Sequence, residues 1–204
     1  MPRKKLTEPL ACDEVVILDF ETTGLSSNYD RVIEVGAVLV KEHKIVDEFV
    51  ELMNPGTVLS SFITSLTGIT NTMLKGKPKP EHIMPKLLSF IDGRPIVAHN
   101  ATFDKRFLLA ELNRAKISAQ NPFICTMRLA KKLIPEAISY KLADISKHVG
   151  IRVNHSTTHR ALGDVKITAK LWKHLHAEVI KYSGSNAPTI ETLKEVATKA
   201  IIIK

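Results

Sequence analysis

The first quarter of the chain carries three stretches of strand length rich in β-branched and apolar residues. Val15-Val16-Ile17-Leu18-Asp19-Phe20 is apolar up to its fifth residue, the pattern of a strand covered on both faces. Arg31–Val40 and Lys44–Leu52 predict two further strands, joined by a polar turn at Glu42-His43. Asn54-Pro55-Gly56 closes this meander, and residues 60–76 predict short helical turns and loop. From there the period changes. Pro80–Ile91 predicts a helix ended by Asp92-Gly93, Pro95–His99 a fourth strand, and Phe103–Arg114 a helix with Phe103, Phe107 and Ala110 on one side. Phe123–Cys125 predicts a short fifth strand before helices over Met127–Leu133 and Lys141–Val149, the latter stopped by Gly150. The longest helical pattern, Thr158–Lys181, aligns Ala161, Val165, Thr168, Ala169, Trp172, Leu175 and Val179 in one stripe. A last helix, Thr189–Ala200, follows the linker Ser183–Pro188. Three successive strands and then strands alternating with helices predict a mixed-sheet α/β fold.

Composition narrows the class. The 204 residues are 44% hydrophobic and 25% charged, close to ordinary globular usage. Two cysteines, Cys12 and Cys125, are too few for a disulfide scaffold. No apolar run approaches the roughly 20 residues of a membrane span, and the polar start lacks a secretory h-region. The expectation is a cytoplasmic protein with no membrane partner. Its predicted layout is an arm over residues 1–13, one domain over 14–182, and a linker with C-terminal helix over 183–204. That helix either packs back on its own domain or docks on a polymerase or other protein partner.

Charge is uneven. Residues 101–182 hold 15 Lys and Arg against 6 Asp and Glu, whereas the rest of the chain holds 14 against 15. One contiguous stretch therefore carries the whole basic excess, as expected of a surface facing a polyanion. A solvated face without a partner is the alternative.

Three local patterns carry chemistry. In Asp19-Phe20-Glu21-Thr22-Thr23-Gly24, side chains two residues apart on a strand share a face, so Asp19 and Glu21 project together, about 6.5–7 Å apart along the backbone. They sit at the carboxyl end of an apolar strand, the edge where open α/β sheets place their sites. Ile96-Val97-Ala98-His99-Asn100 repeats the strand-to-helix design, with Asp104 in the first turn of the helix, where a capping role is the plainer reading. His159-Arg160-Ala161-Leu162-Gly163-Asp164 opens the long helix. Five residues along a continuous helix separate side chains by about 140°. His159 and Asp164 can therefore converge only if His159 lies at a loop-like start, with Thr157 or Thr158 as N-cap.

Taken together, these segments resemble the three motifs of the DEDDh 3′–5′ exonucleases, in order. That group includes the proofreading epsilon subunit of bacterial DNA polymerase III and the exonuclease segment of Gram-positive replicative polymerases. The resemblance runs from about Val15 to Leu175 and takes in Val32-Ile33-Glu34-Val35-Gly36-Ala37-Val38 and Leu66-Thr67-Gly68-Ile69-Thr70. One departure is Asp-Phe-Glu where many members have Asp-Thr-Glu. The resemblance implies a ribonuclease H-like fold, a central five-stranded mixed sheet flanked by helices. It implies Asp19, Glu21, Asp104 and Asp164 as ligands of two divalent ions, Mg²⁺ or Mn²⁺, hard cations suited to oxygen donors. It also implies His159 as general base, with Thr22, Thr23, Gly24, Leu25, His99 and Phe103 as substrate contacts. Plain core packing is the alternative for Phe103. Arg106, Arg128, Lys131, Lys132 and Arg160 are further expected on phosphates.

The function implied is release of nucleoside 5′-monophosphates from single-stranded 3′ ends, DNA favoured over RNA, in proofreading or repair. Two rivals stand beside it: an exonuclease that trims RNA or degrades oligoribonucleotides, and a polymerase-associated binding module.

Overall fold

The computed structural model describes residues 14–153 and 160–198. The expected arm, the N-cap at Thr157 or Thr158 and His159 itself lie outside the described residues. Strands β1 (Glu14–Thr22), β2 (Val32–Lys41) and β3 (Lys44–Leu52) form the antiparallel meander. Helices α1 (Ser61–Thr67), α2 (Asn71–Leu74) and α3 (Pro80–Ile91) follow. Strand β4 (Ile96–Ala98) then leads into α4 (Thr102–Arg114), and β5 (Phe123–Cys125) into α5 (Thr126–Leu133). Helices α6 (Leu142–His148), α7 (Ala161–Ser183) and α8 (Ile190–Thr198) complete the described chain. The sheet order is β3-β2-β1-β4-β5, with β4 and β5 parallel to β1. The five-stranded mixed sheet of the sequence reading is therefore the fold.

Alternation along β1 decides where its acids point. Val15 and Ile17 join a core with Trp172, Leu175 and Val179 of α7, whereas Val16, Leu18 and Phe20 join one with Leu87 of α3 and Phe107 of α4. By the same period, Asp19 and Glu21 continue the α7 face. On β2, Val38 and Val40 belong to the α7 core and Val35 and Ala37 to the other. Glu34 and Gly36 thus also face α7, opposite Glu21 and Asp19 in the register.

This pairing seats the long helix. A Cβ on Gly36 would lie 2.5 Å from the backbone carbon of Ala161, so only glycine lets the first turn of α7 come this close to the sheet. The buried Glu34 carboxylate accepts the Ala161 amide at 2.9 Å, doing from a neighbouring strand what an N-cap side chain does locally. Arg160 at the N-cap position makes no capping bond of its own. Its guanidinium instead grips Glu34, with Nη2 at 2.6 Å and Nε at 3.1 Å.

Helix α8 packs back on the domain. Ile190, Leu193 and Val196 are buried in the same core as α5 and α7. The described part of its apolar face is covered by the chain itself. Among the described residues, no helix is long and apolar enough to cross a membrane.

Replacing Gly36 with Ala should force α7 off the sheet. Overpacking of this kind costs about 1–3 kcal/mol, and each kcal/mol moves the melting temperature of a domain this size by roughly 2–4 °C. A melting curve of Gly36→Ala should show a fall of roughly 2–12 °C. An unchanged curve would mean that the helix seat is soft.

Candidate active site

Four elements meet at the carboxyl edge of the sheet. Strand β1 supplies Asp19 and Glu21, and the first turn of α7 supplies Asp164. Carboxylate oxygens of these three residues lie within 4.8 Å of one another. Asp104 arrives by a different route. Asn100 adopts a left-handed φ of 61°, which asparagine tolerates better than most residues, and turns the chain from β4 into α4. The buried Asp104 Oδ1 then accepts the Phe20 amide at 3.2 Å, tying α4 to β1 between the two acids. Asp104 stands outside the 4.8 Å triad, although its charge is felt by Asp19.

Crowded, desolvated carboxylates resist ionisation. Burial first, then the charges of Asp104, Glu21, Asp164 and Glu34, hold Asp19 well above the usual carboxylate range. Glu21 is pushed up to about 8 by burial, then by Asp164 and Glu34, while Arg160 opposes the shift. Asp104 is raised to about 7 by burial, against the hydrogen bonds from its own and the Phe20 amides. A group of oxygen donors this crowded with acidic groups fits hard divalent cations.

Beside the triad opens a cavity of about 360 Å³. Glu21, Thr22, Thr23, Gly24 and Leu25 form one wall, Phe103 another, and Phe62, Ile63 and Leu66 of α1 a third. Leu25 and Phe62 are 81% and 70% exposed, leaving apolar surface open at the rim. Phe103 is placed between the cavity and the core. It lines the cavity and also stacks on Phe107 in the core, with ring centres 4.8 Å apart. The short helical turns expected over residues 60–76 are present, but the sequence reading assigned none of their side chains to the site. The signals for α1 were Ser60, which caps Ile63 through its hydroxyl, and the spacing of Phe62 and Leu66.

Two expected substrate contacts are otherwise engaged. His99 does not line this cavity. Its Nε2 lies 2.8 Å from the Tyr140 carbonyl, which can only accept, so Nε2 carries the proton. Nδ1 then accepts from the Thr126 hydroxyl at 2.9 Å. Burial lowers the His99 pKa, in keeping with this neutral form, although the Tyr140 bond pulls the other way. Arg160, expected on phosphate, is committed to Glu34. The structure thus brings together Asp19, Glu21 and Asp164, sets Asp104 against them, and gathers Thr22 to Leu25 and Phe103 around the cavity.

A mixed five-stranded sheet with acids converging at its carboxyl edge is the framework of a phosphodiester hydrolase, and the family described as Exonuclease (RNase_T) matches residues 16–172. The chain belongs to this family, the DEDDh exonucleases. It is homologous to the exonuclease segment of PolC-type DNA polymerase III. It is 40% identical over 159 residues to that polymerase from Caldanaerobacter subterraneus subsp. tengcongensis, and 41% over 162 residues to the one from Clostridium perfringens. These matches cover 78% and 79% of this chain but only 11% of each polymerase, so the chain corresponds to a small part of those relatives. Among solved structures, exonuclease X in complex with 5′-overhanging duplex DNA is 29% identical, with a TM-score of 0.67 over 90% of this chain and 99% of that one. E. coli exonuclease I in complex with a dT13 oligonucleotide shares the fold at 20% identity, with a TM-score of 0.71 over 84% of this chain and 43% of that one.

The raised carboxyl groups bind protons more tightly folded than unfolded. Their stabilising effect is therefore complete below the unfolded values near 4 and is lost as pH climbs through 7 to 8. In chelator, the melting temperature of wild type should fall over this range by more than that of Glu21→Gln, and excess Mg²⁺ should shrink the difference. Parallel pH profiles for the two proteins in chelator would contradict the electrostatic account.

Proposed function

We propose that the protein is a metal-dependent 3′–5′ exonuclease that removes nucleoside 5′-monophosphates stepwise from single-stranded 3′ ends, DNA favoured over RNA. The observation that carries this reading is that Glu21 belongs both to the converging carboxylates and to the wall of the 360 Å³ cavity. A terminal nucleotide seated in that cavity brings its phosphodiester to the acids. Leu25, Phe62, Leu66 and Phe103 provide apolar surface for its base.

Asp19, Glu21, Asp104 and Asp164 are assigned to hold two divalent ions, Mg²⁺ or Mn²⁺. Such a pair supplies an activated water and neutralises charge on the leaving oxygen. The chain's own groups do the rest. Glu34 and Arg160 hold α7 so that Asp164 stays against β1, and Asp104 locks the Phe20 amide. His159, one residue before Arg160, is assigned as the general base that takes the proton of the attacking water, a task suited to a pKa near neutrality. The similarity to PolC-type polymerases supports proofreading as the setting. The similarity to exonuclease X, solved in complex with 5′-overhanging duplex DNA, supports DNA as the polymer acted on.

Incubating 5′-labelled linear single strands of DNA and RNA with Mn²⁺ tests this directly. DNA should shorten as a ladder from its 3′ end and faster than RNA, with no cleavage in chelator. Replacing His159 with Ala should slow turnover by roughly 10²–10⁴-fold, the usual worth of a general base, while the Mn²⁺-induced rise in melting temperature persists. Cleavage of circular single strands at the linear rate would defeat the end-dependent reading, and faster loss of RNA would move the enzyme to RNA trimming.

A further inference from the structure

The turn that follows β1 is tied to α4 by charged groups outside the carboxylate cluster. Glu111 lies two turns along α4 from Asp104 and is fully buried. Its carboxylate accepts from Arg31 Nε at 2.9 Å, Arg31 Nη2 at 3.0 Å and the Val32 amide at 3.2 Å. Arg114, nearly one turn further along, sets Nη1 3.1 Å from Glu111 Oε1. Through Nη2 it donates to the carbonyls of Ser27 at 2.7 Å and Asn28 at 3.0 Å. Arg31 also reaches Glu81 of α3 at 2.7 Å.

The same network grips the other end of the turn. The Thr23 amide donates to the Arg31 carbonyl at 2.9 Å, and the Arg31 amide donates to Thr23 Oγ1 at 3.0 Å. Asp30 accepts from the Thr23 hydroxyl and from the Ser26 amide, both at 2.9 Å. A Cβ at position 24 would lie 2.5 Å from Asp30 Oδ2, so a larger residue there would displace that carboxylate from its two hydrogen bonds. The large apolar residues of the turn give it no anchor, because Leu25 and Tyr29 are 81% and 87% exposed. Its placement rests on these polar ties.

We propose that Glu111 and Arg114 are positioning residues that fix the turn over residues 23–30 to α4, so that the cavity wall and Asp104 keep one geometry. This rests on the reading of the cavity as the terminal-nucleotide site. Once released, the turn occupies the binding-competent geometry for only part of the time, and apparent affinity falls by that fraction. The bound complex still holds its carboxylates, so turnover at saturation is preserved.

Arg114→Met tests the brace while leaving Glu111 paired with Arg31. Kinetics on a short 5′-labelled single-stranded DNA with Mn²⁺ are compared for wild type, Arg114→Met, Arg114→Lys and Leu25→Ala, alongside melting curves with Mn²⁺ and with chelator. If the competent fraction falls to a tenth, Arg114→Met raises KM about tenfold, with kcat close to wild type and the Mn²⁺-induced melting shift unchanged. Arg114→Lys recovers part of the loss, because an ammonium reaches a carbonyl without the guanidinium fork. A lower melting temperature with unchanged KM would reduce the network to a structural strut and overturn the proposal. A fall in kcat at constant KM would overturn it as well, by placing the effect at the reacting centre. If Leu25→Ala raises KM and Arg114→Met does not, only the brace fails; if neither raises it, the cavity is not the nucleotide site.

Discussion

The carboxylate of Glu34 joins sheet to helix at the one point on which the site depends. It is almost completely buried, holds the Arg160 guanidinium through two nitrogens, and accepts the first amide of α7. Removing one partner of such a buried arrangement is far more damaging than the pair is stabilising, because the remaining polar groups lose their partners in a low-dielectric setting. Gly36, two residues further along the same face of β2, leaves the room that this approach requires. Charge and absence of volume act together, and Asp164 is delivered to Asp19 and Glu21 as a result.

That delivery works against electrostatics. Three carboxylates within 4.8 Å, a fourth acting on them from α4, and Glu34 itself across the register make Asp19 and Glu21 hard to ionise. The fold tolerates this because the β1–β2 ladder and two cores hold the strand from both sides. Cations held among these oxygens, as proposed, would relieve that repulsion. Preorganised repulsion of this sort is how a folded chain becomes a better metal ligand than the same residues in an unfolded one.

Much of this was legible in the sequence. The period of two in β1 places Asp19 and Glu21 on one face, and the meander followed by alternating strands and helices gives the sheet. Asp104 and Asp164 were found through motif order, since their spacing alone permits ordinary capping. The helix seat was not read, although a Glu and a Gly two apart in the otherwise apolar Val32-Ile33-Glu34-Val35-Gly36 marked a special face. Pairwise contacts formed across long stretches of chain escape local reasoning. His99 is engaged by residues 27 and 41 positions away, and Arg160 by one 126 positions away, partners that no local pattern announces. The side chains that α1 gives the cavity were not assigned for a different reason: a seven-residue helix gives too little periodicity to show which of them face the site.

The central claim is that Glu34, which is assigned no metal, controls the metal site by seating α7. Melting curves of wild type and Glu34→Ala, each with excess Mn²⁺ and with chelator, test it most directly. An ion at about 100 times its dissociation constant adds about 2.7 kcal/mol to the folded state, so Mn²⁺ should raise the wild-type melting temperature by roughly 5–11 °C. In Glu34→Ala the account predicts a folded protein whose rise is less than half as large. An equal rise in both proteins would contradict it, since Asp164 would then reach β1 without the Glu34 junction.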